Sequence, residues 1–212
     1  MDFAASPERA DSETDDASDV RELRSAPRFT LLIRAARIVA DQGEFVCVIR
    51  DISETGVSMR LFHRLPEGER LELQMPGGAA YQIRRVWARD HEAGFEFAAP
   101  ADVSSIINEA SDYPKRGLRL GIQLPIEITS RTLSSAATVE NLSQQGARIQ
   151  CDARFAIDQA LRISGGHGLE DVWAKVRWRR DNHYGVVFDD TFTLGDFARL
   201  AAQLQAPALL ES

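Results

Sequence analysis

The sequence predicts an all-β chain with short helices, built as two similar small barrels in tandem with a helix after each. An internal repeat, a strand-period apolar pattern and a helical stretch closing each half carry that prediction. Arg28 matches Arg119, Trp87 matches Trp178, Gly94 matches Gly185 and Phe97 matches Phe188, each 91 positions apart. Asp51 matches Asn141 and Gly56 matches Gly146 at 90 positions. An offset constant to one residue over a whole half divides the chain into units at about 21–110 and 111–206.

The elements follow in order. Residues 1–20 hold seven carboxylates against Arg9 alone, which is six of the formal net charge of -7. This stretch has almost no large apolar residues to offset its ordering entropy, so it reads as a disordered acidic tail. "GEFVCVIR" is then a mainly apolar strand. In "VSMRLF" Val57, Met59 and Leu61 alternate with Ser58 and Arg60, and in "RLELQM" Leu71, Leu73 and Met75 alternate likewise, as half-buried antiparallel strands do. "YQIRRVWARDHEAGFEF" reads as a hairpin with a polar turn, and "VWAKVRWRRDNHYGVVF" repeats it. Helical spacing follows each hairpin: Val103, Ile106 and Ile107 share one face, and so do Leu194, Phe197, Leu200, Ala201 and Leu204. A helix there would cover one barrel mouth, the first one also bridging to the second unit. "QAPALLES" reads as a frayed end, from 207 to 212.

Composition narrows the function. No apolar run approaches the roughly 18 residues of a membrane span, and no secretory leader is legible. Cys47 and Cys151 are isolated within apolar runs and read as small core residues, which together with the missing leader points to a reducing cytoplasm. An acidic balance without a basic stripe argues against nucleic-acid binding. His63, His91, His167 and His183 lack metal-ligand spacing, those at 91 and 183 reading as exposed at hairpin turns. Asp51 and Ser53 have no histidine near them in sequence, and "SGGHG" at 164–168 reads as a hairpin turn without the strand and helix of a phosphate loop. The expectation is a protein that is not an enzyme and carries no metal or cofactor.

Two polar signatures remain. "DISETG", residues 51–56, is a good turn by itself, because Asp and Ser side chains bond nearby amides and Gly accepts positive φ. "NLSQQG", residues 141–146, keeps the same chemistry with the acceptor oxygen of Asn141 in place of Asp51. "RSAPR", residues 24–28, sets two guanidinium forks before the first strand. Forks and a carboxylate acceptor together suit a guanine base with phosphates beside it.

The Arg-x-x-x-Arg and Asp/Asn-x-Ser-x-x-Gly pair resembles the PilZ domain, a bacterial six-stranded barrel that binds cyclic di-GMP. The resemblance covers both halves and so implies a tandem PilZ protein. It implies that Arg24 and Arg28 grip guanine faces, Hoogsteen edges and phosphates, that Asp51 and Ser53 contact a guanine from the barrel surface, and that Gly56 permits the turn. In the second unit, Lys115 stands at the first arginine position, with Arg116 beside it and Arg119 at the second. Lysine keeps the charge but loses the planar fork. The first unit is therefore expected to be the main site, and Lys115, Arg116, Arg119, Asn141, Ser143 and Gly146 a weaker one. The resemblance implies a receptor that relays second-messenger level, through ordering of the tail or rearrangement of the two units, to a protein partner. The alternative is a degenerate pair serving as a protein-interaction adaptor without nucleotide binding.

Overall fold

The structure, a computed structural model, describes residues 29–68, 70–107, 117–166 and 169–211. The expected acidic tail, Arg24, Arg28, Lys115, Arg116 and the segment expected to bridge the two units lie outside these residues.

Six strands form the first barrel: β1 (Phe29–Ala40), β2 (Gly43–Ile52), β3 (Gly56–Leu61), β4 (Leu71–Gln74), β5 (Ala80–Arg89) and β6 (Glu92–Phe97). Their order is β1-β2-β3-β6-β5-β4, and antiparallel pairing of β4 with β1 closes it. Period-2 burial follows the sequence: Val57, Met59, Leu61, Leu71 and Leu73 are buried in the core, while the residues between them are not. Helix α1 (Val103–Ile107) adds Val103 and Ile106 to the same core, and Asp102 caps it by accepting from Ser105 N at 3.1 Å and Ser105 Oγ at 2.6 Å.

The second barrel repeats this plan with β8 (Leu124–Thr129), β9 (Ser134–Ser143), β10 (Gly146–Gln150), β11 (Ala160–Ser164), β12 (Val172–Arg180) and β13 (His183–Phe188). A short β7 (Arg119–Leu120) adds to β9, and the β9–β10 pairing closes the ring. On β8, Leu124, Ile126 and Ile128 are buried, and Pro125, Glu127 and Thr129 face solvent. Strand register reproduces the sequence offset: Phe29 pairs with Ile52 as Leu120 pairs with Leu142. β1 crosses this region as one strand with a register shift between Thr30 and Arg34, where the second barrel breaks into β7 and β8.

Helix α2 (Leu194–Gln205) corrects the expectation of a simple mouth cover. Thr193 caps it, its Oγ1 accepting from Asp196 N at 3.1 Å, and Phe197, Ala198, Ala201 and Ala202 are its buried face. Phe197, Ala198 and Ala201 join the second barrel's core, and so does Val46 from β2 of the first barrel. The small alanines let the helix lie close between the two barrels. β2 is thereby buried on both faces from Phe45 to Ile49, Cys47 and Ile49 in its own core and Val46 in its neighbour's.

The end read as frayed carries local structure. Pro207–Leu210 form a turn of 3-10 helix, Pro207 both ending α2 and starting the new turn, and Leu209 O accepts from Arg64 N of the first barrel at 2.9 Å. Cys47 and Cys151 are free and buried, as expected, and burial pushes the Cys47 thiol well above its ordinary range.

A polar node holds the barrels together. Glu44 Oε2 accepts from Arg37 Nη1 and from Gly121 N, both at 2.9 Å. Gln205 Oε1 accepts from Glu44 N at 2.9 Å and its Nε2 donates to Glu44 O at 2.7 Å. Arg37 Nη1 also donates to Arg119 O at 2.8 Å, so β1 of one barrel touches β7 of the other.

Candidate functional site

The repeated turn is built alike in both barrels. Ser53 N donates to Gly56 O at 2.8 Å, and Ser53 Oγ accepts from Gly56 N at 3.2 Å. In the second barrel Ser143 Oγ donates to Gly146 O at 2.9 Å. Both serines are buried, and their hydroxyls hold the turn. The turn is also pinned to the last strand: Phe97 N donates to Thr55 O and Phe188 N to Gln145 O, both at 2.9 Å.

Glycine is needed here for a different reason than the sequence suggested. Neither Gly56 nor Gly146 has a positive φ. A Cβ on Gly56 would meet Phe95 O at 2.6 Å, and one on Gly146 would meet Val186 O at 2.1 Å. The requirement is close approach of β3 to β6 and of β10 to β13.

Of the acceptors at the head of each turn, Asp51 Oδ2 accepts from Ser58 Oγ at 3.1 Å. Asn141 Oδ1 accepts from Arg119 Nη1 at 3.0 Å. The second barrel therefore brings together two of its expected site residues, an arginine fork and the amide oxygen at the turn. Arg119 borders a cleft of ≈ 330 Å³ whose wall also includes Ser143, Gly146, Arg177, Trp178 and Gly185. Among the described residues lining it there are two arginines and no carboxylate. Such a cleft suits an anion with a planar group able to lie along a guanidinium or an indole.

Sequence reasoning found Trp178 and Gly185 as repeat markers but gave them no role. Trp178 is opposite Gly185 on β12 and β13, as Trp87 is opposite Gly94 on β5 and β6. A Cβ on Gly185 would fall 1.9 Å from Trp178 Nε1, so glycine makes room for the indole. Arg177 was missed altogether. Its signal was the pair Arg177 and Val86, 91 positions apart and unlike, where the repeat departs from itself.

The histidines differ from one another. His91 is exposed, His183 is partly buried with Nε2 at 3.2 Å from Glu140 Oε1, and His63 is buried. Among the described residues no group of three or more His, Cys, Asp or Glu is placed to hold a metal, and no helix is long and apolar enough to cross a membrane.

The fold and repeated turn define a tandem-barrel protein in which the same loop is pinned to the last strand of each barrel. The PilZ domain family model matches residues 22–110 and 114–206, and the chain belongs to that family, with two copies of the domain. No curated protein sequence matches it. Among solved structures, the chain is similar to the inhibitor of motility MotI/DgrA of Bacillus subtilis, at 11% identity and TM-score 0.35, covering 85% of this chain and 99% of that one. It is similar also to PlzA of Borreliella burgdorferi in complex with c-di-GMP, at 12% identity and TM-score 0.33, covering 82% and 88%. Apo MrkH of K. pneumonia stands at 8% identity and TM-score 0.32, covering 82% and 88%. Membership rests on the family match, not on these loose likenesses.

Proposed function

We propose that this protein is a cyclic di-GMP receptor without catalytic activity, working in the cytoplasm. The arginine-bearing segment ahead of each barrel closes over the Asp/Asn-x-Ser-x-x-Gly turn and holds the nucleotide there. The observation that carries the reading is the Arg119 to Asn141 hydrogen bond at 3.0 Å on the border of a cationic cleft. It joins the two halves of the motif, and a guanidinium fork beside an amide oxygen is a donor and acceptor set for a guanine edge or a phosphate. The first barrel, with Arg24, Arg28, Asp51, Ser53 and Gly56, is the principal site, since it keeps both forks.

Capture orders the segment before the first barrel, and in the second it acts on the segment leading to β7, whose Arg119 carbonyl bonds Arg37 of the first barrel. Ligand level is thereby relayed to the relative setting of the barrels and to a protein partner. Calorimetric titration of the full chain with cyclic di-GMP tests this. A bidentate arginine contact is worth roughly 1–3 kcal/mol, so Arg28→Ala weakens binding by roughly 5- to 150-fold and Arg119→Ala by less. Absence of heat with the wild-type chain would reject the receptor reading, and equal losses in the two variants would reject the ranking of the barrels.

A further inference from the structure

The second barrel's weakness in sequence is the loss of one guanidinium at Lys115. The structure offers another from an unexpected direction. β12 carries a β-bulge between Val176 and Trp178, and β5 carries the matching bulge between Arg85 and Trp87. A bulge inserts one residue without a ladder partner and re-aims its side chain, so two successive residues face outward. The inserted residue is Arg177 in one barrel and Val86 in the other. Val86 is 62% exposed, a large apolar side chain held in water, so the bulge is kept even where its side chain gains nothing from burial.

In the second barrel the same bulge turns Arg177 into the wall of the cleft that Arg119 borders. Its recorded partner is Asp158, with Nη1 3.4 Å from Oδ1 and the two side chains 62% and 71% exposed. Such a pair is worth little and is readily exchanged for a better acceptor. Gly185 and the Trp178 indole complete this side of the cleft. The bulge therefore places Arg177 in the same lining as Arg119 and the Ser143 to Gly146 turn, and no carboxylate stands among the described lining residues.

We infer that Arg177 is a ligand-gripping residue of the second barrel, supplying from β12 the guanidinium fork that Lys115 lacks. This rests on the receptor reading above, and its ligand is the guanine and phosphate of the same nucleotide. The second barrel is then a working site rebuilt with a different arginine, and the first barrel, with Val86 at the bulge, has no equivalent.

Calorimetric titration of the full chain with cyclic di-GMP, in wild type, Arg177→Ala, Arg177→Lys, Arg119→Ala and Val86→Ala, separates the possibilities. The exposed position of Arg177 lets each variant fold, which thermal melting checks. Expected is that Arg177→Ala removes or weakens by roughly 5- to 150-fold the same binding component that Arg119→Ala reduces. Arg177→Lys recovers only part of it, because charge returns without the fork. Val86→Ala titrates as wild type. Loss with Arg119→Ala but wild-type binding with Arg177→Ala overturns the inference. Wild-type binding in both variants confines the ligand to the first barrel, overturning the inference while the receptor reading stands. A wild-type chain that takes up no cyclic di-GMP overturns both.

Discussion

Trp178 and Gly185 occupy one another's space: a Cβ built on the glycine would come within 1.9 Å of the indole Nε1. The neighbouring conflict at Gly146 is of another kind, because its Cβ would meet the Val186 carbonyl at 2.1 Å and backbone has no rotamer to change. Trp178 is 44% exposed and can swing outward. Gly185→Ala is therefore expected to displace the indole at a cost of roughly 0.5–1.5 kcal/mol, and Gly146→Ala to cost about 1–3 kcal/mol through strain in the ladder. Tryptophan emission and urea denaturation check the pair. A Gly185→Ala protein with unaltered emission would show that the indole is not where the glycine allows it.

Val46 tests whether the barrels fold as one. It belongs to β2 of the first barrel, is fully buried, and lies in the second barrel's core with Phe197. Placing a charge there leaves Cys47 and Ile49 in their own core and attacks only the contact between the barrels. Val46→Asp is expected to split urea unfolding into two steps seen by far-UV circular dichroism and by tryptophan emission at different midpoints, where the wild type gives one coincident transition. Coincidence in the variant would mean that the barrels are coupled elsewhere.

Much of this architecture was legible in the sequence, because the two barrels spell one pattern twice. The strands at 57–61 and 71–74 follow period-2 alternation directly, and both hairpins fall where they were read, although β5 and β12 are exposed beyond their bulges. The unbroken apolar run of β2 contained the interface in plain view, yet a strand buried by its own barrel and a neighbour reads like any strongly apolar strand. The role of α2 was hidden for the same reason: its apolar stripe shows that a face is buried and not against what. At the turn, the glycines were found and their reason was not, since close approach of β6 to Gly56 depends on a ladder between residues about forty apart. Arg177 stayed invisible because its aim depends on a bulge, and a bulge is a property of register between two strands.

Glu44 joins three segments, and its bond to Arg37 can be measured separately from the rest. Both side chains are partly exposed, at 30% for Arg37 and 24% for Glu44, so solvent screens much of their attraction. A double-mutant cycle of Arg37→Ala and Glu44→Ala is expected to give a coupling of roughly 0.5–1.5 kcal/mol in chemical denaturation. The Glu44→Ala single variant should lose more than the coupling, since it also releases Gly121 N. A coupling indistinguishable from zero would reduce this ion pair to a surface contact with no part in holding the barrels.

His63 makes stability depend on pH in a defined window. Its ring is buried against Phe45 with centroids 5.1 Å apart, Nδ1 is 2.7 Å from Arg64 O, and Nε2 is buried without a partner among the described residues. Burial lowers its pKa from the ordinary 6.5, the Arg64 carbonyl pulls it back up, and the nearby His91 adds a smaller push downward. The unfolded chain therefore takes up this proton first, so the stability is fully present above about 6.5 and is lost as the pH falls below it towards the folded value. Hydrogen bonds hold the carboxyls of Asp102, Asp171 and Asp196 below their ordinary 3.8, so their own losses begin only below about 3.8, under the pH range of the test that follows. His63→Phe keeps the aromatic contact and removes the titration. Melting temperature is expected to drop between pH 7.5 and pH 5 in the wild type and to drop less in the variant. Equal slopes in the two proteins would move the acid sensitivity away from this ring.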